Sequence, residues 1–515
     1  MKKVASVAAG LLIAQGASAF DLSTGTPDIS LDISGATAVE QFLRDYLLDD
    51  LCDPTSTISY YTDQISGTAP LNFSRDFTVA CTATVGGTPR LIEVRKSGDG
   101  GSGNGVAPVC EPTPSLAQDF VDGAACAAAV TPVTIVTPGG GTTIDRYDCS
   151  TTPKETGVAP NLGISDVGPT EVGVNASTAC ATRPAFVLPF GVMVTEKLRN
   201  ALQRAQGYTV GAEDAANVPS LSHSMLTSLI TGAIPQWSDI QVRSPATGAL
   251  TDLVSFNAGT PEDPTLAANY ADGITDTRVS LCHRVGTSGT RSQTEVVINR
   301  ERCVLGAPTL TAPNPFDFAG PTTMPLNSGS SDEAECMTAL NRGVDTGTLV
   351  GSGSDRGSIW GVGHNSLEKV PNGPDINENA DRREYRFIKL NGNLGNYENI
   401  ANGTYYHYAE STWNFTSASL NGLPLDLANV IIPALRSPTI LGAAPVQREH
   451  SWGFSGPMGF ANTASDTSVA PNVYDNDLPG TPLTRAGNNC QIAVLDSAAP
   501  NTFDALLSHP FDRLD

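Results

Sequence analysis

Positive charge is scarce in this chain. Against 53 Asp and Glu it carries 30 Lys and Arg, a formal charge of −23. That balance excludes nucleic acid and anionic membrane surfaces as its main partners. It does not exclude a small anion, because local donors can hold one in a buried site while the surface stays acidic. The six histidines (His223, His283, His364, His407, His450, His509) show no zinc-ligand spacing. There is no Gly-x-Ser-x-Gly elbow and no P-loop lysine. No cysteine stands in a Cys-x-x-Cys arrangement, which argues against a redox or haem role. Asp375-x-Asn377-x-Asn379-x-Asp381 has the oxygen spacing of a calcium loop, but Ala380 replaces the turn glycine and Arg386 the closing acid, so it reads as a solvated loop. No cofactor and no metal is expected.

What is present points outward from the cell. Lys2 and Lys3 precede an apolar run from Val7 to Ile13, and Ala17-Ser18-Ala19 is a small-residue cleavage site before Phe20. The run is too short to cross a bilayer. We therefore expect a signal peptide over Met1 to Ala19, a periplasmic or secreted protein, and no other membrane span. Ten cysteines, an even number, suggest disulfides in such a compartment. Cys52–Cys81, Cys110–Cys126 and Cys149–Cys180 are plausible local pairs. Cys282–Cys303 is not, because a helix over 290–303 would carry Cys303 roughly 20 Å away. Gly 50 and Pro 36 indicate a loop-rich chain, and the length suffices for two or three domains.

The chain is organised around Leu281 to Arg291. Val279 and Leu281 alternate as in a strand, Gly286 to Thr290 form a small-residue turn, and Gln293 to Cys303 reads as a helix. Strand, turn and helix aim backbone N–H groups and a positive dipole end at an anion. Ser288 and Thr290 add hydroxyls, and Arg284 adds a planar fork of donors. A second such unit runs from Asp28–Ile33 through Ser34-Gly35-Ala36-Thr37 into a helix over Ala38–Leu48. Strands are expected at Phe77–Thr84, Arg90–Arg95, Asn161–Ser165, Ala185–Thr195, Tyr385–Leu390, Gly403–Tyr408 and Cys490–Leu495. Helices are expected at Glu196–Ala205, His223–Ile230, Glu333–Leu340 and Asp426–Leu435. Ser97 to Gly105 reads as a flexible linker by composition, or else as a glycine loop exposing N–H groups.

Taken together, these segments resemble the periplasmic phosphate-binding proteins of ABC transporters, a family of type II solute-binding proteins. Ser34-Gly35-Ala36-Thr37-Ala38 is similar to the first ligand loop and Ser97 to Gly105 to the second. Gly163-Ile164-Ser165-Asp166 matches a Gly-x-Ser-Asp motif. Arg284-x-x-x-Ser288-Gly289-Thr290 matches Arg-x-Asp-x-Ser-Gly-Thr, with Gly286 where the resemblance implies an aspartate that holds the arginine.

The resemblance implies an α/β, two-lobed type II binding-protein fold, here with a Cys-rich insertion at about 107–160. It implies a non-enzymatic protein that binds phosphate, or a related oxyanion, between the lobes, with an ABC permease as partner. The implied ligand residues are Thr37, Ala38, one of Ser97 and Ser102, Asp166, Arg284, Ser288, Gly289 and Thr290. Asp166 would accept the proton that phosphate carries and sulfate lacks. The expected divisions are a first lobe over 20–188, a second over 189–364, and a return to the first with a C-terminal extension over 365–515, in a monomer. The alternatives are a cell-surface protein that kept the fold without transport, and a secreted phosphatase using Ser288 with His283 nearby. The last 80 or so residues resemble nothing else.

Overall fold

The computed structural model describes residues 22–63 (24 excepted), 76–111, 117–126, 131–137, 140–244, 247–258, 274, 276–299, 303, 326–342 (328 excepted), 359–371, 384–443, 449–460, 478–485, 487–491 and 493–495. The Met1–Ala19 segment and the calcium-like loop at Asp375 lie outside them. No helix among the described residues is long and apolar enough to cross a membrane.

Strand β1 (Ile29–Gly35) is almost wholly buried and leads into helix α1 (Glu40–Tyr46). The apolar spacing of Val39, Phe42, Leu43, Tyr46 and Leu47 lays one stripe of that helix on the sheet, and all five are buried. Burial of each such side chain is worth about 1.5–3 kcal/mol. Strands β2 (Ser59–Thr62), β3 (Phe77–Val85) and β4 (Thr88–Ser97) follow. Gly86 and Gly87 both have positive φ, which makes the tight β3–β4 turn accessible. Four strands, β5 (Gln118–Phe120), β6 (Thr131–Thr137), β7 (Gly140–Asp148) and β8 (Glu155–Val158), form the insertion. Two of them, β6 and β7, extend the main sheet beyond β2.

The chain then returns as β9 (Leu162–Ser165), parallel to β1 on the side opposite β4. The 15-residue β10 (Ala181–Thr195) runs into helix α2 (Glu196–Gln206), and α3 (His223–Ile230) follows. Next come β11 (Asp276–Leu281), α4 (Gly289–Val297), α5 (Ser330–Arg342), β12 (Ile359–Ser366), β13 (Tyr385–Leu390), β14 (Tyr408–Phe415) and α6 (Gly422–Ala434).

Two hydrophobic cores result, and β10 threads both. Its first half pairs with β14, and its second half is flanked by β12 and β13. Ala185, Phe186, Leu188 and Phe190 accordingly lie in the first core, with Phe42, Ile164 and Trp413. Val192, Met193 and Val194 lie in the second, with Trp237, Met337 and Trp360. A strand covered on both faces reads as a continuous apolar run, as this one does. β14 is the second crossing: Tyr408 sits in the second core and Trp413 in the first. β13 pairs with the second half of β10, so Tyr385 and Phe387 also belong to the second core. The chain comes back to the first core at β14 rather than near residue 365. The architecture is the two-lobed α/β arrangement with a disulfide-bearing insertion that the sequence led us to expect.

Local expectations fail where packing overrides pattern. The strand expected over Gly403–Tyr408 begins only at Tyr408, so the aromatics Tyr405 and Tyr406 precede it instead of forming it. Tyr405 is buried and donates its hydroxyl to the Phe190 carbonyl at 2.6 Å. The helix expected from Gln293 to Cys303 runs instead over Gly289–Val297, and it starts earlier because Ser288 caps it by accepting from the Arg291 N–H.

All ten cysteines are paired: Cys52–Cys81, Cys110–Cys180, Cys126–Cys149, Cys282–Cys336 and Cys303–Cys490. Cys52–Cys81 is the expected pair. The expected Cys110–Cys126 and Cys149–Cys180 exchange partners. Cys126 and Cys149 share a small cluster with Tyr61 and Tyr147, while Cys110 packs with Val106 and Val174 beside Cys180. Cys282 bonds to α5 and not to Cys303.

Candidate functional site

Three parallel strands end side by side. In register, Ser34 on β1 faces Ser97 on β4 and Gly163 on β9. Carboxyl ends of parallel strands are where α/β sheets offer backbone amides to ligands. Over these ends rides the turn 98–105, and three glycines let it. A Cβ on Gly35 would stand 2.1 Å from the Ile164 carbonyl, one on Gly105 1.9 Å from the same oxygen, and one on Gly163 2.0 Å from the Gly105 carbonyl. All three clashes are with backbone, so no side chain could yield. Ser97 to Gly105 is therefore a buried helical turn, not a flexible linker: Gly101, Ser102 and Gly103 are buried.

That docking brings Ser102 to Asp166. The Ser102 hydroxyl donates to Asp166 Oδ2 at 2.9 Å, and the Asp166 backbone N–H donates back to Ser102 Oγ at 3.2 Å. The other carboxylate oxygen, Asp166 Oδ1, is buried and takes no hydrogen bond from the described residues. The Ser97 hydroxyl is in the same condition. Thr37 and Ala38 lie at the entry to α1, both buried, with Ala38 packed in the first core.

The second half of the site comes from the other lobe. Arg284 follows the end of β11 and is buried. It donates from Nε to the Asn327 carbonyl (3.3 Å) and from Nη1 to Thr290 Oγ1 (3.3 Å) and Ser330 Oγ (3.2 Å). Ser288 is spent on capping α4. Gly289 opens that helix and presses on the first lobe: a Cβ there would lie 2.2 Å from Ser102 Oγ and 2.5 Å from Asp166 Oδ2. The Gly103 N–H donates to the Thr287 carbonyl at 3.0 Å. Asp166, Ser102, Arg284, Gly289 and Thr290 thus converge on one place, Ser97 ends the neighbouring strand, and Ser288 caps from behind.

Two functional candidates escaped the sequence reading. Lys96 is wholly buried and donates from Nζ to the Gly35 and Ser97 carbonyls, each at 2.7 Å, with Glu40 at 3.8 Å. The signal was parity: Lys96 shares the inward face of β4 with Ile92 and Val94. Glu333 is the other, 3.9 Å from Arg284 and accepting the His364 backbone N–H at 3.1 Å. It stands one turn from Met337 and two from Leu340, on the buried stripe of α5. Gly286, by contrast, faces open space. The acid near Arg284 comes from another helix.

Charge follows burial. Desolvation pushes Asp166 up to about 6, against the hydrogen bond from Ser102 and the charges of Arg284 and Lys96. Desolvation pushes Glu333 up to about 8, against the pull of Arg284 and the His364 amide. Near neutral pH Glu333 is therefore mostly protonated, and the charge of Arg284 is not spent on it. Burial lowers Lys96, while Glu40, Asp76 and Asp166 raise it. Replacing Lys96 by Met removes one of the charges holding Asp166 down. The Asp166 pKa is expected to rise above its present value of about 6, read from its carboxyl resonance by NMR; an unmoved titration would show Lys96 to be only a strand-end brace.

Among the described residues, no group of three or more His, Cys, Asp or Glu is placed to hold a metal.

No family model matches the chain, and no curated protein matches it either. Solved structures do resemble it at low score. One is assigned as a phosphate ABC transporter substrate-binding protein, with bound phosphate, from Clostridium perfringens: 10% identity, TM-score 0.34, covering 78% of this chain and 92% of that one. An ABC-type phosphate transport receptor from Vibrio cholerae is 13% identical with a TM-score of 0.27, over 53% of this chain and 74% of its own. PstS from Borrelia burgdorferi is 9% identical with a TM-score of 0.26, over 54% and 78%.

Proposed function

We propose that this is an exported, non-enzymatic protein that binds phosphate between its lobes. The observation that carries the reading is the convergence of a buried acid from one lobe and a buried guanidinium from the other at the start of α4. Asp166 Oδ1 accepts the ligand's proton, and Ser97 Oγ donates to the ligand; both are buried and take no hydrogen bond from the described residues. Ser102, already bonded to Asp166, positions that carboxylate. Arg284, Thr290 and the first amides of α4 neutralise the remaining oxygens. Thr37 and Ala38 contribute backbone. Five disulfides accord with an oxidising compartment. A nucleophilic role for Ser288 is disfavoured by its capping bond to Arg291.

Calorimetry of the purified protein tests this. Saturable heat with inorganic phosphate and none with sulfate is expected; no heat with phosphate ends the proposal. An ABC permease is the proposed partner, so deleting the protein should lower phosphate uptake when phosphate is scarce. Normal uptake alongside intact binding would assign the cell-surface alternative. A C-terminal segment fastened across both lobes favours that second reading, since a transport receptor has to open and release.

A further inference from the structure

The C-terminal segment was the part of the chain that resembled nothing. Among its contacts are the two strands that cross between the lobes and the loop after Asp166. Where β10 slips register against β14, between Pro184 and Val187, Met458 bridges β10 as well: the Val187 and Met458 backbones exchange N–H to O bonds, each 2.8 Å.

On the other crossing, Arg485 stacks its guanidinium 4.1 Å from the centre of the Tyr408 ring and donates to the carbonyls of Tyr408 (2.7 Å) and Tyr406 (3.2 Å). Buried Glu410 accepts from the backbone N–H groups of Arg485 and Gly487, the latter at 2.8 Å. Asn489 then reaches the first lobe. Its backbone N–H donates to Glu171 Oε1 at 2.6 Å and its side chain to Glu171 Oε2 at 3.1 Å. Glu171 in turn accepts the Gly168 N–H at 2.6 Å, two residues past Asp166.

Both ends of this run go back to the second lobe. Leu483 and Ala493 are buried in the second core, and Cys490 is bonded to Cys303, six residues past the end of α4. The same Tyr408 carbonyl also accepts from Gln293 on α4. Tail, crossing strand, acid loop and anion-facing helix are thereby joined in one network.

We infer that residues 484–485 and 487–490 act as a strap that sets the spacing of the two halves of the site, by holding the loop after Asp166 and the β14 crossing together and anchoring them through Cys303–Cys490. The inference adds to the phosphate reading, yet the strap would hold the lobes whether or not that reading stands. The segment is polar and hydrogen-bonded to strand backbone at the crossing point, so it resists a twist there more than it adds to either core. Lobe opening has to break the Glu171–Asn489 bonds, and the covalent bond keeps the freed tail close enough to rebind.

Hydrogen exchange and small-angle scattering on the full chain, without phosphate, test the strap directly. Two variants serve: Cys303→Ser with Cys490→Ser, and Asn489→Ala. Both should exchange amides of 167–171 and 408–412 about tenfold faster or more, while the interiors of α1 and α6 keep their protection. The double serine variant should also show a larger radius of gyration. Unchanged protection of these two segments in both variants would overturn the strap, and so would an even loss across the whole chain, which marks general destabilisation. A phosphate titration of the same variants should then show faster association and faster release. Failure of phosphate to bind the parent protein would sink the ligand reading and leave the exchange result standing.

Discussion

Replacing Asp166 by Asn should abolish the distinction between phosphate and sulfate and, at the same time, make the protein more stable. A carboxylate can only accept, so it satisfies a ligand that brings a proton and repels one that does not. The parent protein is expected to prefer phosphate by roughly 10³-fold or more, the scale of leaving a buried acceptor facing an unprotonated oxygen. An asparagine can turn either its carbonyl or its amide toward the ligand, so the ratio should fall to about tenfold or less.

The stability effect has a definite sign. Asp166 is held near 6 in the folded protein against an ordinary value of 3.8. Between those values the folded state keeps a proton that the unfolded state has lost. Stability therefore declines as pH rises from about 4 to 6, and the deficit is complete above that. At 1.36 kcal/mol per pKa unit, Asn should return about 2–3 kcal/mol at pH 8 and nothing at pH 3. Such a gain at a functional acid is the usual cost of keeping a charge in a buried site. Denaturant midpoints at the two pH values, set beside sulfate and phosphate titrations, measure both effects. An unchanged ligand ratio would remove Asp166 from the role of proton acceptor, whatever the stability does.

How much of this was legible beforehand depended on whether the signal was local. The strand–turn–helix at Asp276–Val297, the apolar run of β10 and the amphipathic α1 are written in short-range periodicity, and they were read. The choice between Ser97 and Ser102 as ligand residue could not be made from the sequence, because what places Ser102 on Asp166 is three glycines, 35, 105 and 163, whose backbones interlock across 128 residues of chain. The disulfide exchange among Cys110, Cys126, Cys149 and Cys180 has the same origin: pairing follows packing beside Tyr61 and Val174, not spacing. Lys96 and Glu333 were within reach. Each is a charge on the buried stripe of its own element, and a charge there needs a partner or a function. The tail was out of reach, since its partners are the Tyr406 and Tyr408 carbonyls and the Glu410 and Glu171 carboxylates, all distant in sequence, and they leave no pattern in its own residues.

The close approach of Gly289 to Asp166 gives the sharpest test of how the two lobes meet. Gly289 has no positive φ, so alanine costs nothing in backbone strain, and at the first turn of a helix it is favoured over glycine by up to about 1 kcal/mol. The second lobe should fold as well as before. Its docking should fail, because the new methyl would stand 2.2 Å from Ser102 Oγ, 2.5 Å from Asp166 Oδ2 and 2.6 Å from Asp166 Cβ. The serine hydroxyl can rotate aside, but the aspartate Cβ cannot move without shifting the end of β9. Gly289→Ala is thus expected to hold the lobes apart, to widen the scattering profile, and to weaken phosphate binding by about 100-fold or more through lost pre-organisation. Gly286→Ala is the matched control, three residues away with nothing within 4 Å of the added methyl, and should bind as the parent does. Equal binding by the two variants would mean that the anion is held in an arrangement where Gly289 and Asp166 no longer touch. Tight binding lost in both would place the cause in the flexibility of the 285–289 turn instead of in the contact between lobes.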